Sequence, residues 1–305
     1  PLPVRGPLRH GTLGRMDVFS RLRASTLGID SPAIVRTLDG SMRSVPRTYL
    51  DSAATCLAVG PIHHAATEYL LSTCSNSHTQ STSCGRDTTQ QIADAHQDVL
   101  ELFNAHVDHS AVFLGSGVTA ATLFASDAIR STTDRPVALV SALEHHSNLL
   151  PWRRHFTLAY VAALDDGGYD LSSLSALLRE HAGKVAGVAV TAVSNVTGVM
   201  PPLAEIARLA HDAGALVYVD AAQAAAHVAL DMRRDRIDFL GASGHKMYAP
   251  GSPGVLIGPR AFFQGLHERV GPVGGGSVRR VQTDQVWLKD DPSERYEAGT
   301  PNIPG

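Results

Sequence analysis

The chain has 305 residues, of which 44% are hydrophobic and 18% are charged, and this composition is typical of a folded globular protein. Its 26 basic and 29 acidic residues leave a formal net charge of -3, so no basic surface for nucleic acid is expected. The sequence has no run of about 20 apolar residues, so no membrane span is expected. Three cysteines are too few for a disulfide framework. We therefore expect a cytoplasmic protein without nucleic-acid or membrane partners.

The first third of the chain gives few periodic signals. Residues 1–47 carry Arg, Gly and Pro with weak periodicity, which predicts a linker containing one short helix near residues 18–27. A short strand is predicted at residues 48–55. The polar stretch 72–89 is predicted to be a functional loop, because polar loops of this length inside compact domains are usually functional or disordered. Thr88 or Thr89 is then predicted to cap the next helix.

From about residue 111 onward, short apolar runs alternate with amphipathic segments. The apolar runs predict strands at 111–114, 137–141, 158–162, 185–190, 215–219, 239–242 and 254–257. The amphipathic segments predict one helix that follows residues 115–120 and runs to about residue 130, and further helices at 171–181 and 203–213. This alternation is typical of an α/β fold in which helices cover both faces of a mostly parallel sheet.

A glycine-containing segment joins the first of these strands to the first of these helices. Gly115-Ser116-Gly117-Val118-Thr119 leaves backbone N–H groups free at a helix N-terminus, where the helix dipole also favours an anion. This predicts a phosphate site to which Thr119 adds a hydroxyl group. The same segment fits the Gly-x-Gly-x-x-Ala dinucleotide pattern, with Glu144 ending the next strand-like segment. A nicotinamide-dependent oxidoreductase is therefore the alternative from a different class.

Lysine is rare in this chain, which makes one lysine conspicuous. Of Lys184, Lys246 and Lys289, only Lys246 stands in a small-residue context, Ser243-Gly244-His245-Lys246, shortly before Pro250-Gly251-Ser252-Pro253-Gly254. Glycine lets the backbone approach a ligand closely, and an amine with a lowered pKa is the nucleophile that a carbonyl cofactor requires. The segment predicts a pyridoxal phosphate (PLP) site; a solvated lysine on a turn is the alternative.

Polar side chains follow several predicted strands, at the sheet edge where ligands gather in open α/β folds. Asp220 can pair with a protonated pyridine nitrogen or cap a turn, and Gln223 can donate to the phenolic oxygen of the cofactor. His145 can stack on the cofactor ring or shuttle a proton. Asn195 can hold a substrate carboxylate or form an Asx turn. The pair His145 and His146 lacks a further metal ligand at familiar spacing, so no metal is predicted.

Six segments occur in a fixed order along the chain. They are Leu50-Asp51-Ser52-Ala53-Ala54-Thr55, Glu144-His145-His146-Ser147-Asn148 with Pro151-Trp152, Ser194-Asn195-Val196-Thr197-Gly198, Asp220-Ala221-Ala222-Gln223, Ser243-Gly244-His245-Lys246 and Glu297-Ala298-Gly299-Thr300-Pro301-Asn302. Together they resemble the class V aminotransferase and cysteine desulfurase group of fold type I PLP enzymes.

The resemblance implies a domain organisation and an assembly. Residues 48–305 would form the large PLP-binding domain. Residues 1–47 would be a linker and the N-terminal segment of a small second domain, which is truncated because its C-terminal part would follow residue 305. Members of the group are homodimers with active sites at the subunit interface, so a homodimer is expected here.

The resemblance also assigns roles to individual residues. The residues that would bind the cofactor are Val118, Thr119, His145, Asp220, Gln223, Ser243, His245, Lys246 and Thr300. Lys246 would hold the cofactor covalently and would act with His145 in catalysis. The phosphate would be held by Ser243, His245, Thr119 and the backbone of Val118, and Thr300 would reach the phosphate of the neighbouring subunit. Asn195 and Ala54 would contact the substrate.

Departures from the group shape the functional expectation. Desulfurases carry a nucleophilic cysteine and a carboxylate-binding arginine in the C-terminal domain, and Cys56, Cys74 and Cys84 do not occupy that cysteine's position. Residues 76–86 differ from the usual desulfurase loop and resemble a divergent branch that includes C–S lyases, some of them domains of biosynthetic megaenzymes. Both ends of the chain would suit such a domain.

We therefore expect PLP-dependent β-elimination on cysteine or an S-substituted cysteine. A persulfide-forming cysteine desulfurase and a PLP-dependent aminotransferase are the alternatives on the same scaffold, because the cofactor performs the shared steps. A scaffold without catalysis is a further alternative, which the presence of Lys246, Asp220, Gln223 and His145 disfavours.

Overall fold

A computed structural model describes residues 17–77 and 79–305 of the chain. The helices are α1 (Val18–Ser25), α2 (Gly60–Ser72), α3 (Ser83–Leu102), α4 (Gly117–Thr132), α5 (Leu171–Glu180), α6 (Leu203–Asp212), α7 (Arg260–Gln264) and α8 (Pro292–Tyr296). The strands are β1 (Ala33–Arg36), β2 (Met42–Val45), β3 (His109–Leu114), β4 (Val137–Ser141), β5 (Thr157–Val161), β6 (Val185–Thr191), β7 (Leu216–Asp220), β8 (Phe239–Ser243), β9 (Gly254–Pro259), β10 (Val278–Val281) and β11 (Val286–Leu288). None of the described helices is both long and apolar enough to cross a membrane.

Seven of these strands form the central sheet, in the order β3-β9-β8-β7-β6-β4-β5. Strands β5, β4, β6, β7 and β8 pair in parallel, whereas β9 runs antiparallel to both of its neighbours. The mostly parallel sheet predicted from the apolar runs is thus confirmed. All seven predicted strands from residue 111 onward are present, with ends within two residues of the predicted positions.

Helices cover both faces of this sheet, and the strand residues alternate between two cores. Leu139 of β4 packs in one core with Val190 and Ile206. Its chain neighbour Val140 packs in the other, with Phe124 of α4. Because successive strand residues point to opposite faces, a strand covered on both sides is apolar at nearly every position, which is why these strands read as continuous apolar runs.

The N-terminal third differs from expectation in two places. The strand predicted at residues 48–55 is wrong: the segment is a turn, in which the carbonyl oxygen of Asp51 accepts from the N–H groups of Ala54 and Thr55. The predicted cap of α3 is also wrong. Thr82 caps it by accepting from the N–H of Gly85 at 3.1 Å, and Thr88 is buried within the helix.

Three features of the fold were not predicted. Helix α2 has only Tyr69 buried, and the hairpins β1–β2 and β10–β11 have strands of three or four largely exposed residues. Short exposed elements carry little hydrophobic periodicity, which is the signal that sequence-based assignment depends on. The helix predicted near residues 18–27 is present as α1, and residues 1–16 lie outside the described part of the linker.

One close backbone approach joins the sheet to the start of α4, and it yields a test. A Cβ atom added to Gly254 would lie 2.2 Å from the backbone oxygen of Gly117, and a backbone cannot swing aside as a flexible side chain does. We expect Gly254→Ala to lower the free energy of unfolding by about 1–3 kcal/mol and to displace the glycine segment. Gly275→Ala is the matched control, because nothing lies within 4 Å of its added Cβ. Equal urea-unfolding midpoints for the two variants would contradict this packing.

Candidate active site

A cavity of about 690 Å³ opens at the carboxyl ends of β4, β6, β7 and β8. The predicted site residues that line it are Ala54, Val118, Thr119, His145, Asn195, Asp220, Gln223, Ser243, His245 and Lys246. These residues come from six separate stretches of the chain. Parallel strands bring their carboxyl ends to one edge of the sheet, so side chains distant in sequence meet at this edge.

Thr300 is the predicted site residue that does not line this cavity. It lies exposed beyond α8, and the Asn76 side-chain amide donates to its hydroxyl at 3.4 Å. The expectation for Thr300 concerns the site of a second subunit, and it stays a prediction.

The glycine segment forms one wall of the cavity, and its geometry suits a phosphate group. Gly117 begins α4 with a φ of 60°, which favours glycine, and no side chain caps this helix. The N–H of Val118 donates to the Ser243 hydroxyl at 2.7 Å, so that N–H is engaged within the chain. The Thr119 hydroxyl donates to Ser147 at 2.8 Å. An uncapped helix start beside three hydroxyl groups is a fitting cradle for an anion.

Lys246 lines the same cavity, in the turn that follows β8. It is half-buried, and burial lowers the pKa of its amine, while Asp220 and Cys56 act in the opposite direction. The other two lysines lie away from the cavity: Lys289 pairs with Glu294 at 2.9 Å, and Lys184 is exposed. Lys246 is thus the one lysine of the chain available to a carbonyl group in this cavity.

Asp220 lies at the base of the cavity, at the last position of β7. It is 3% exposed, and one of its oxygens accepts from the N–H of Ala222 at 2.8 Å. Burial raises the pKa of this carboxyl to about 6, against the effects of that N–H and of Lys246. A buried carboxylate without an ion pair among the described residues is costly, and a cation placed against it would relieve that cost. The protonated nitrogen of a pyridine ring is such a cation, so this residue fits PLP.

The imidazole of His145 is held by its own turn. Its Nδ1 accepts from the backbone N–H of Ser147 at 3.1 Å and lies 3.0 Å from the Ser147 hydroxyl. Burial lowers the pKa of His145, and the positive charges of Lys246 and His146 lower it further. A neutral ring beside the cavity suits stacking on an aromatic cofactor.

Two other predicted residues brace the segment that carries Ala54. The Gln223 amide donates to the carbonyl oxygen of Ala53 at 2.5 Å, and His245 Nδ1 lies 3.1 Å from the Thr55 hydroxyl. Burial and then Lys246 lower the pKa of His245. The turn at Asp51 is therefore fastened to the cavity, which explains how a segment outside the sheet contributes to it.

Several other lining residues were given no role of their own by sequence reasoning, although most of them belong to segments that it named. These are Asp51, Gly115, Ser116, Gly117, Ser147, Thr191, Val193, Ala222 and Ser252, together with Ala53. Thr191 ends β6 and could have been found by the same strand-end reasoning that found Asp220. Ser252 gave no signal, because a serine in a Pro- and Gly-rich turn is ordinary.

Two other kinds of site were considered from the sequence, a dinucleotide site and a metal site. Both carboxylate oxygens of Glu144 are engaged within the chain, by the Thr191 N–H at 2.8 Å and the Asn148 amide at 2.6 Å, whereas a dinucleotide site uses such a carboxylate for the ribose. Among residues 17–77 and 79–305, no group of three or more His, Cys, Asp or Glu side chains is arranged to hold a metal ion.

Comparison with known proteins agrees with this geometry. The chain matches the Aminotransferase class-V family over residues 48–305. It is 34% identical over 283 residues to a cysteine desulfurase of Dickeya dadantii, covering 90% of this chain and 66% of that protein. It is 35% identical over 266 residues to a probable cysteine desulfurase of Aeropyrum pernix, covering 84% and 63% of the two chains. The chain thus spans about two thirds of the length of these relatives.

Solved structures of similar proteins share the fold. The apo structure of a cysteine desulfurase from Thermococcus onnurineus superposes with a TM-score of 0.81 at 28% identity, over 96% of this chain and 69% of that one. A cysteine desulfurase from Escherichia coli gives a TM-score of 0.74, also at 28% identity, over 95% and 69% of the two chains.

The sheet order, the lysine and the buried carboxylate define the class as the fold type I PLP-dependent enzymes. Within that class, the chain belongs to the class-V aminotransferase family, and its cofactor is PLP.

The buried carboxyl of Asp220 predicts a pH-dependent cost in the protein without PLP. An unfolded aspartate loses its proton near pH 3.8, whereas folded Asp220 keeps its proton up to about pH 6. As pH rises through this window the unfolded state releases the proton first, so the folded protein loses stability. Asp220→Asn should therefore stabilise the protein relative to wild type by about 2 kcal/mol more at pH 8 than at pH 4.

The measurement is urea unfolding of the PLP-free protein at both pH values. Asp284→Asn is the control, because Asp284 is exposed and its replacement should change stability by the same small amount at both. A gain for Asp220→Asn that does not depend on pH would show that the carboxyl is not the source of the cost.

Proposed function

We propose that this chain is the cofactor-binding part of a PLP-dependent enzyme that cleaves a C–S bond of cysteine or an S-substituted cysteine. The observation that carries the proposal is the convergence of Lys246, Asp220 and the glycine segment on one cavity. The names of the relatives, which are cysteine desulfurases, support a small amino acid with a C–S bond as the substrate. Residues 48–305 would form the large PLP domain, and residues 1–47 would be a linker and part of a small domain.

The residues of the chain would divide the work as follows. PLP, when bound, supplies an electron sink that stabilises negative charge on the substrate Cα. Lys246 would hold the cofactor covalently through its amine, which burial keeps deprotonated more readily than an exposed lysine amine. Asp220 would pair with the pyridine nitrogen, and Gln223 would contact the phenolic oxygen. Lys246, once released by the substrate amine, would take the Cα proton on Nζ.

The phosphate and the substrate would be held by the cavity walls. Ser243, His245, Thr119 and the start of α4 would bind the phosphate, while His145 would stack on the ring. Asn195 and Ala54 would contact the substrate.

We propose β-elimination because it needs only groups that this cavity holds, and none of the three cysteines among the described residues lines the cavity. In β-elimination the Cα–H electron pair forms a Cα–Cβ double bond and sulfur leaves with the Cβ–S pair; water then yields pyruvate and ammonia. Persulfide formation instead requires a protein cysteine that attacks the substrate sulfur. Cys56 is buried with its thiol donating to the Lys246 carbonyl at 3.1 Å, and burial raises its pKa. Cys74 and Cys84 do not line the cavity.

A persulfide-forming desulfurase is the second candidate, and it is favoured by the names of the relatives. Mass spectrometry of the products separates the two after incubation of the purified yellow protein with cysteine and with cysteine disulfide. Pyruvate and ammonia are the products expected from β-elimination. Alanine together with persulfide sulfur would overturn the lyase proposal in favour of the desulfurase.

Removal of the Lys246 amine tests the catalytic assignment. Lys246→Ala should lower kcat for pyruvate release by about 10²–10⁴-fold, because positioned proton transfer typically contributes that much. The control is Lys184→Ala, which removes an exposed amine at the start of β6, away from the cavity. A Lys246→Ala protein that turns over at the wild-type rate would sink the mechanism.

We also propose a homodimer in which Thr300 reaches the PLP phosphate of the neighbouring subunit. Its exposed position outside the cavity of its own subunit supports this. Thr300→Ala should weaken PLP binding several-fold, because it removes one hydrogen bond to a charged group. In a mixed dimer of one Thr300→Ala subunit and one Lys246→Ala subunit, both changes would affect the same site, so the other site should bind PLP normally. A protein that is monomeric by light scattering yet binds PLP normally would contradict the proposal.

A further inference from the structure

Glu144 stands at the centre of a hydrogen-bond chain that none of the roles above uses. It precedes His145 in the turn after β4, and burial of its carboxyl raises the pKa to about 8, with Asn148 and Thr191 acting in the opposite direction. The sequence pattern singled out Glu144 as a possible ribose ligand, and the structure instead directs its carboxylate inward. Its function therefore needs another explanation.

The direction of each hydrogen bond in this chain follows from Trp152. An indole N–H can only donate, and the buried Trp152 Nε1 donates to the side-chain oxygen of Asn148 at 3.2 Å. This fixes the amide of Asn148, whose nitrogen must then donate to Glu144 Oε2, at 2.6 Å. The remaining oxygen, Oε1, accepts from the Thr191 backbone N–H at 2.8 Å. Both oxygens of Glu144 are thus acceptors from groups that can only donate in this arrangement. A proton on the carboxyl would find no acceptor here, so these two donors favour the carboxylate against the burial that raises its pKa.

These hydrogen bonds connect the turn of His145 to the sheet and the core. Thr191 ends β6 directly beside Asp220 in the sheet register. Trp152 is 1% exposed and packs edge-on against Tyr218 of β7, with ring centroids 5.6 Å apart. Glu144 therefore fastens the turn to the strand end at one oxygen and to the core at the other.

The same turn fixes the proton of His145. Its Nδ1 accepts from the backbone N–H of Ser147, so the neutral imidazole carries its proton on Nε2. If the turn shifted, this N–H would move with it and the ring would lose its orientation.

We propose that Glu144 is a positioning residue: it accepts from Asn148 and Thr191 and thereby holds His145, in one orientation and one tautomer, at the PLP site. The inference deepens the proposed function and rests on it for the meaning of the site. It also accounts for the spacing of Glu144, Asn148 and Trp152, which recur every four residues across the turn.

Reversal of the hydrogen-bond chain provides the test. Glu144→Gln keeps the shape of the side chain but replaces one acceptor oxygen with an NH₂ group. That NH₂ group would face a second donor, either the Thr191 backbone N–H or the Asn148 amide. We expect the buried donor that loses its partner to displace the turn, so that His145 leaves its orientation, its ¹⁵N signals shift in the PLP-free protein and PLP binds roughly tenfold more weakly. Adding Asn148→Asp supplies a carboxylate that accepts from both the new amide and Trp152, so the double variant should recover the wild-type signals and affinity.

A second arm separates positioning from a general structural role. In a His145→Ala background, Glu144→Gln should change PLP affinity by less than twofold, because the residue it positions is gone. A full loss of affinity in that background would overturn the proposal. The proposal would also be overturned if the double variant bound PLP no more tightly than Glu144→Gln. If Glu144→Gln does not fold, a double variant that also fails to fold would overturn it.

The two proposals fail in different ways. If the wild-type protein binds no PLP, the proposed function fails, while the His145 signals still decide whether Glu144 holds the ring. If PLP binds to the wild type but Glu144→Gln leaves both the signals and the affinity unchanged, only the positioning role fails.

Discussion

The burial of the Asp220 carboxylate next to the half-buried Lys246 amine is the constraint on which the account of this site depends. A charge at 3% exposure is stable only when an opposite charge or hydrogen bonds compensate for the lost water. One backbone N–H and the field of Lys246 do so in part, which leaves the carboxyl pKa raised to about 6. A cationic ring nitrogen placed against it would complete the compensation. The folded protein is therefore expected to be more stable with PLP bound than without it.

The parallel sheet explains how this pair is assembled. Asp220 ends β7 and the turn of Lys246 follows β8, its parallel neighbour. The Thr191 and Glu144 groups come from β6 and from the turn after β4, the next two strands in the sheet. Because all four strands end at one edge, a few residues after each strand suffice to build the cavity. The antiparallel strand β9 closes the other side, where Gly254 allows the glycine segment to approach.

Much of this arrangement could be predicted from the sequence, for a physical reason. Strands buried on both faces, such as β6, are apolar throughout and therefore easy to recognise. The polar residues that follow them are exceptions to the pattern, which is how Asp220 was found. Exposed hairpins such as β10–β11 have no such signature. The cap of α3 was misplaced because the stretch before it holds several Ser and Thr residues, and only the three-dimensional path selects Thr82.

The role proposed for Glu144 could not be predicted from the sequence. A carboxylate after a strand fits a ribose ligand, a metal ligand or a structural acceptor equally well. Only the donors around it, from Asn148 and from the Thr191 backbone, distinguish these uses. Backbone N–H groups carry no sequence signal, so contacts of this kind become visible only in the structure.

The central claim is that PLP is held by Lys246 in the cavity closed by Asp220. The most direct measurement is borohydride reduction of the PLP-loaded protein followed by peptide mapping with mass spectrometry. The account predicts that a single lysine carries the reduced cofactor and that it is Lys246. A cofactor found on Lys184 or Lys289, or a protein that takes up no PLP at all, would contradict it.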